Sequence, residues 1–405
     1  MSYVNSFEFI QKIPDSLVIG DCPQLPNLNC WNHIEEVGWF ILRGKVSSMD
    51  NLKGLDKLRK AKSFHIYNTK GIRSIDGFDS LTLNSIGFEN NSNLKSIKGF
   101  NNVQYLLPCQ QTIGDLWSGI ELLLVQNDSL TYVNGFHNTN CIGSIYVTRN
   151  KQLDTLKICE NTKYLGDLNF NNNDSLASYH GFNQIERLPI QGIYLFDTHT
   201  NISDLQIFKR LKYAPFISIS GMAIKSLNGS YGMLDAIYTI LNNDRGILYL
   251  FANSFLTDIS SLENLKYVKE ISISGNKRLG ECSIKSVCDH IYAGRALKVD
   301  INNFPGCRSI NQIKTKCVSS VDEDLVNTFH LFPNPTTADI HITISDYVPA
   351  DARVVIYDAM GNSIVDKRVY YGQNPIDLSH VPPGIFFYRL SENGKDIKTG
   401  TLTKF

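Results

Sequence analysis

Apolar and polar positions along this chain follow a rhythm that is clearest in two windows, residues 144–150 and 167–173. Both contain apolar, any, apolar, any, any, Asn, and both continue with apolar or aromatic residues three and six positions later. These are Leu153 and Leu156 in the first, Leu176 and Tyr179 in the second. The string recurs from Ile86 and Phe88 through Asn91, Leu94 and Ile97, and from Leu122 and Leu124 through Asn127, Leu130 and Val133. Later copies run from Leu248 and Leu250 through Asn253 and Leu256, and from Ile271 and Ile273 through Asn276 and Leu279. Weaker copies begin at Phe40, Phe64, Ile193, Ile217 and Leu297. Of the ten steps between the second apolar residues of these eleven copies, eight fall within 22 to 26 residues. Alternation over a few residues is the period of a half-buried strand. Repeated at a near-constant interval, it predicts stacked coils whose strands pair in parallel and whose apolar faces are buried only by neighbouring coils.

Seven asparagines share one place in the repeat, three residues past the strand: Asn91, Asn127, Asn150, Asn173, Asn253, Asn276 and Asn302. Stacking predicts a ladder in which each amide bonds turn backbone that would otherwise be buried unpaired. Two steps are long. One holds residues 101–119, with Cys109 and Trp117, and the other residues 230–241, where the spacing of Met233, Leu234, Ile237, Ile240 and Leu241 predicts a short helix. The rhythm stops after Cys317. Alternating stretches at 340–344, 353–357, 363–370 and 385–390, with turn signals at 360–362, 371–375 and 392–394, predict a small all-β sandwich. The expected organisation is an N-terminal cap (1–37), a solenoid of about eleven coils (38–317), an acidic polar linker (318–327) and a second domain (328–405).

The repeat resembles the leucine-rich repeat, and more closely the receptor L-domain-like repeats of bacterial surface proteins, in which N-x-x-L-x-x-φ-x-G-φ recurs. The resemblance extends to the cysteine-bearing final coil, Asn276 to Cys282, Cys288 and then Asn302 to Cys307. It implies a mainly β fold: a right-handed solenoid with a parallel sheet, followed by a small immunoglobulin-like β-sandwich. The tail carries Leu331-Phe332-Pro333-Asn334-Pro335, then Val355 to Gly361, then Pro383-Gly384-Ile385-Phe386-Phe387-Tyr388, and finally Lys404. These motifs resemble the type A C-terminal sorting domain of the type IX secretion system of Bacteroidetes. That resemblance implies export across the outer membrane, the secretion machinery as a partner, and an extracellular or outer-membrane-surface location. The start of the chain shows no export signal, so the precursor is expected to begin upstream.

Composition removes several function classes. The 39 basic and 39 acidic residues cancel, so the chain lacks the basic surplus that nucleic acid attracts. No apolar run is long enough for a transmembrane helix. Nine cysteines leave one unpaired at least. Cys22 with Cys30, and Cys282, Cys288 and Cys307 with Cys317, group at the two ends of the repeat, which favours disulfide-stapled caps over zinc because no C-x-x-C pair occurs. Of Cys109, Cys141 and Cys159, one thiol at least is expected to be free and buried. The nine histidines are scattered, and no nucleophile elbow, phosphate loop or dinucleotide fingerprint occurs, so neither metal, cofactor nor catalysis is expected.

What the pattern does offer is a surface. Residues between and just after the two apolar strand positions should point out of the sheet, and aromatics gather there at Tyr146, Tyr194, Phe196, Tyr249 and Phe251. Aromatic rings beside Asn and Ser suit sugar rings or act as protein hot spots. The expected function is therefore a secreted or cell-surface binding protein for a glycan or protein ligand. The alternatives are a surface-layer structural protein, or a polysaccharide-active enzyme, which would need charged groups clustered on that face.

Overall fold

The computed structural model describes residues 7–405 apart from 8, 106–118, 140, 189–191, 197–206, 228–235, 238–245, 266, 318–328, 345–351, 371 and 393–394. Two compact units emerge, residues 1–318 and 319–405.

In the first unit every predicted repeat strand is present. They are β2 (Glu36–Arg43), β3 (Lys60–Tyr67), β4 (Ser85–Glu89), β5 (Ile120–Val125), β6 (Cys141–Thr148), β7 (Tyr164–Asn171), β8 (Gly192–Phe196), β9 (Phe216–Ser220), β10 (Ile247–Phe251), β11 (Glu270–Ser274) and β12 (Ala296–Val299). Each pairs in parallel with the next, in sequence order, in one continuous sheet. A twelfth coil precedes them: β1 (Lys12–Gly20) pairs with β2 and sets Ile19 opposite Leu42. The expected cap over 1–37 therefore already contains a coil, which the spacing hides because β1 has few buried positions. In-register apolar residues such as Ile66, Phe88, Leu124, Val147 and Phe170 form the floor of the core.

Opposite this sheet the return segments make a second parallel ladder, Ser74–Ile75, Ser96–Gly99, Tyr132–Gly135, Thr155–Ile158 and Ser178–His180. Just after it the backbone turns through left-handed φ at Phe78, Phe100, Phe136, Cys159, Phe182 and Phe208. The rings at this turn stack from coil to coil, Phe100 on Phe136 at 5.2 Å and Phe182 on Phe208 at 5.2 Å. Cys159 occupies the same position as a free, buried thiol, and burial drives its pKa far upward. Of the predicted helix at 230–241, only Ala236–Ile237 lies within the described residues. Those two residues are a strand, held in a ladder between Tyr213–Ala214 and Tyr267–Val268, so at these two positions pairing prevails over the helical spacing.

A second left-handed turn follows most of the sheet strands, at Asp21, Asn68, Asn90, Gln126, Arg149, Asn172 and Ala252 and, as glycine, at Gly44, Gly221 and Gly275. It aims the next side chain inward, and this is the asparagine column. Each Nδ2 donates to the carbonyl of the second apolar residue one coil back: Asn91 to Ile66 (2.8 Å), Asn127 to Phe88 (2.8 Å), Asn150 to Leu124 (2.7 Å), Asn173 to Val147 (2.8 Å), Asn253 to Ile219 (2.9 Å) and Asn276 to Leu250 (2.8 Å). Each Oδ1 accepts the backbone N–H of the same slot one coil back, as Asn150 does from Asn127 (3.0 Å). The last member is a correction: Asn302 is exposed, and Asn303 donates to Ile273 at 2.7 Å. Asp300 accepts from the backbone N–H groups of Gly275 and Asn302, and this wider turn adds one residue before the slot.

The C-terminal end of the solenoid is closed by α1 (Lys285–Tyr292) and α2 (Ile310–Lys314), stapled by Cys282–Cys307 and Cys288–Cys317. At the other end the expected staple is absent. Cys22 is an exposed free thiol in the turn after β1, and Cys30 is a half-buried free thiol in the short 3-10 turn Asn29–Trp31. The two thiols sit on separate turns of one coil, so closeness in sequence did not bring them together. Cys141 is also disulfide-bonded, while Cys109 lies outside the described residues.

The second unit has β13 (Phe329–Phe332), β14 (Ile340–Ile344), β15 (Arg353–Tyr357), β16 (Ser363–Arg368), β17 (Gly372–Ile376), β18 (Gly384–Glu392) and β19 (Lys395–Lys404). They form two antiparallel sheets, β13-β14-β17 and β16-β15-β18-β19, around Ile342, Val354, Ile356, Leu390 and Leu402. The segment 371–375, read as a turn, is mostly β17, which pairs with β14 along its length. The expected linker at 318–327 lies outside the described residues.

Candidate functional site

The outward face of the long sheet carries three rows of side chains, because parallel pairing keeps every strand in register with the next. The middle row reads Tyr146, Asn169, Tyr194, Ser218, Tyr249 and Ser272 on β6 to β11. Toward the strand ends lies Thr148, Asn171, Phe196, Ser220, Phe251 and Ser274. All five aromatics expected on this face are there. Phe196 and Phe251 stand out at 41% and 50% exposure, while the three tyrosines are half-buried. For two of these tyrosines a neighbouring ring contributes to that burial. Phe216, in the third row, stacks on Tyr194 at 4.8 Å and leans on Tyr249 at 5.8 Å, holding both rings beside Ser218. Phe216 lies outside the two outward positions per strand that the sequence pattern marks; each strand has a third, two residues earlier.

The face also carries charged groups, several of them in this third row. Beyond Glu89, Lys298 and Asp300, the face carries Glu121, Asp167 and Glu270, with Lys298 paired to Glu270 at 2.6 Å. Asp167 is almost covered, and the Tyr146 hydroxyl donates to it. Burial pushes its carboxyl up to about 6, with the Glu121 charge adding to the shift and the Tyr146 hydrogen bond opposing it. Burial and the Asp167 charge in turn raise the Tyr146 phenol.

A second polar group lies three strands away. The His65 ring has Nε2 at 3.0 Å from the Ser85 hydroxyl and Nδ1 at 3.8 Å from Glu89, and Ser85 donates to Glu121 at 3.3 Å. The ring fits because the residue opposite is Gly87, where a Cβ would sit 2.6 Å from Nδ1. Burial holds the imidazole below its ordinary value, against the pull of Glu89 and Glu121. Among the described residues, no group of three or more His, Cys, Asp or Glu could hold a metal ion.

In the second unit the motif residues are structural partners of one another. Asn334, between Pro333 and Pro335, donates Nδ2 to the Thr401 carbonyl (2.8 Å) and accepts from the Thr403 N–H (2.9 Å), tying the start of the unit to its last strand. The strand β13 ends at Phe332, as a following proline without an N–H requires. Lys404 is 6% exposed and donates to the Val381 carbonyl. Tyr388 lies over Gly400, where a Cβ would meet its hydroxyl at 2.5 Å. Gly361 takes φ +86° in a turn that Asp358 holds by accepting from the Met360 and Asn362 N–H groups, and Gly384 opens β18.

The architecture is thus that of an asparagine-laddered parallel β-solenoid followed by a small antiparallel β unit. Residues 330–402 match the family model of the secretion system C-terminal sorting domain. This tail is a type IX sorting domain, which makes the protein a secreted or cell-surface one and the secretion machinery its partner. Among the described residues no helix is long and apolar enough to cross a membrane. A comparison of the chain with curated proteins finds no match.

Proposed function

We propose that the protein is a non-catalytic adhesin-like module of the bacterial surface, whose solenoid is of the receptor L-domain-like kind and whose sheet face binds a glycan. Export by the type IX route, in Bacteroidetes, places the face outside the outer membrane. One observation carries the reading: aromatic side chains stand in register on the outward sheet face, Phe196 and Phe251 exposed and the tyrosines half-buried, interleaved with Asn and Ser. Such a surface offers both a stacking platform for the C–H face of a sugar and neutral hydrogen-bond groups for its hydroxyls. The asparagine ladder and the disulfide-closed last coil support the kinship with L-domain repeats. A glycan array probed with the wild type and with a Tyr194→Ala, Tyr249→Ala double variant tests it. The wild type should give glycan signals that the variant loses. Identical profiles would remove the aromatic face as the site, and a wild type that binds no glycan would leave a protein ligand as the occupant.

A further inference from the structure

The aromatics of the face are not merely gathered; they alternate. Along the middle row, tyrosine falls on β6, β8 and β10, and a small amide or hydroxyl residue, Asn169, Ser218 or Ser272, falls on β7, β9 and β11. The outer row repeats the scheme at β8 and β10, with Phe196 and Phe251 flanking Ser220. Neighbouring strands lie about 4.8 Å apart, so successive tyrosines along the row are about 9 to 10 Å apart. The direction of the row is perpendicular to the strands, along the stacking axis of the coils.

We infer that the ligand is a linear, neutral, extended β-1,4-linked polysaccharide of the glucan or N-acetylglucosamine type, laid along the solenoid axis with one disaccharide per two coils. The inference rests on the glycan reading above and specifies its ligand. In an extended β-1,4 chain each sugar is flipped relative to the last, so the same ring face returns every second sugar, over nearly the distance that separates one tyrosine from the next. One sugar of each pair stacks on a tyrosine, and the other lies over Asn or Ser, which exchange hydrogen bonds with its hydroxyls. A coiled α-1,4 chain cannot keep that register over six strands. Phe216 fixes two of the three tyrosine rings in advance, which lowers the ordering cost of binding. Asp167 and Glu121 beside Tyr146 disfavour a polyanionic chain. Six strands from β6 to β11 correspond to about six sugars by the same strand spacing.

The test is isothermal titration of the full chain with β-1,4-linked glucose and N-acetylglucosamine oligomers of two to six units, and with the α-1,4-linked glucose hexamer. Affinity for one β-linked series should rise steadily to the hexamer, and the α-linked hexamer should bind about tenfold more weakly or worse, since each stacked ring contributes on the order of a tenfold factor. Ser218→Tyr, which breaks the alternation without removing an aromatic, should lose the length dependence. Its melting temperature, compared with the parent, separates lost binding from lost folding. Equal affinity for α- and β-linked hexamers, or array binding confined to other glycans, would overturn the β-linked register while leaving the glycan reading intact. Absence of any glycan signal would overturn both.

Discussion

Asn150 shows how much one residue carries in this molecule. Its amide donates to the Leu124 carbonyl at 2.7 Å and to the Asn173 oxygen at 3.2 Å, and its own oxygen accepts from the backbone and side chain of Asn127 at 3.0 and 3.1 Å. Alanine there leaves several buried groups of two adjacent coils unpaired, so Asn150→Ala should cost about 3 kcal/mol in urea-induced unfolding. Asn302→Ala, at the exposed neighbour of the true last ladder member, should stay within about 0.5 kcal/mol. Asp167 has the opposite character. Its folded pKa, about 6, lies above the ordinary 3.8, so the fold binds the proton more tightly than the unfolded chain does. The fold therefore gains stability as pH falls from about 6 toward 4, and the carboxylate burdens it above pH 6. Asp167→Asn keeps an oxygen for the Tyr146 hydroxyl and removes the charge. The variant should melt higher than the parent at pH 7.5, and the gap should close by pH 4.5.

Among the elements, strands, turns and cap leave unequal traces in the sequence, and the reason is physical. Strand position follows from a two-residue period that burial on one face enforces, and all eleven repeat strands expected from it are present. The left-handed turn after most strands leaves a weaker trace, because Asp21, Gln126, Arg149 and Ala252 occupy it as well as Asn and Gly. The C-terminal cap is short: α1 and α2 cover few turns and owe their placement to two crosslinks closing loops of 25 and 29 residues. Each crosslink should contribute about 3 kcal/mol by restricting the unfolded chain. Reduction should accordingly lower the melting temperature of the solenoid. Hydrogen exchange should then rise over 282–317, and the amides of β9 and β10, remote in sequence from every crosslinked cysteine, should be the last to follow.

At the scale of the whole chain the two units differ in kind: the solenoid carries the aromatic sheet face, and the tail is the sorting domain. Truncation before residue 328, expressed in a bacterium with a working type IX system, should leave the solenoid inside the outer membrane, whereas a reporter fused to 329–405 and supplied with an export signal should reach the outside. Finding the truncated protein at the surface would show that the tail is dispensable. Much of this was legible in the sequence: the stacked coils, six of the seven asparagine rungs, both C-terminal disulfide partners as a group, the five aromatics on one face and the sorting motifs. Each is a one-dimensional regularity, fixed because a repeated local conformation puts equal positions in equal environments. Tertiary structure alone decided the rest. It gave the last rung to Asn303 because a wider turn at Asp300 shifted the slot, and it left Cys22 and Cys30 unjoined on separate turns. Pairing made a strand of Ala236–Ile237 within a helical spacing, and stacking of coils set Phe216 against Tyr194 and raised the Asp167 pKa. Periodicity along a chain fixes what each coil repeats; which side chains meet between coils depends on register and turn length, which only the packed molecule determines.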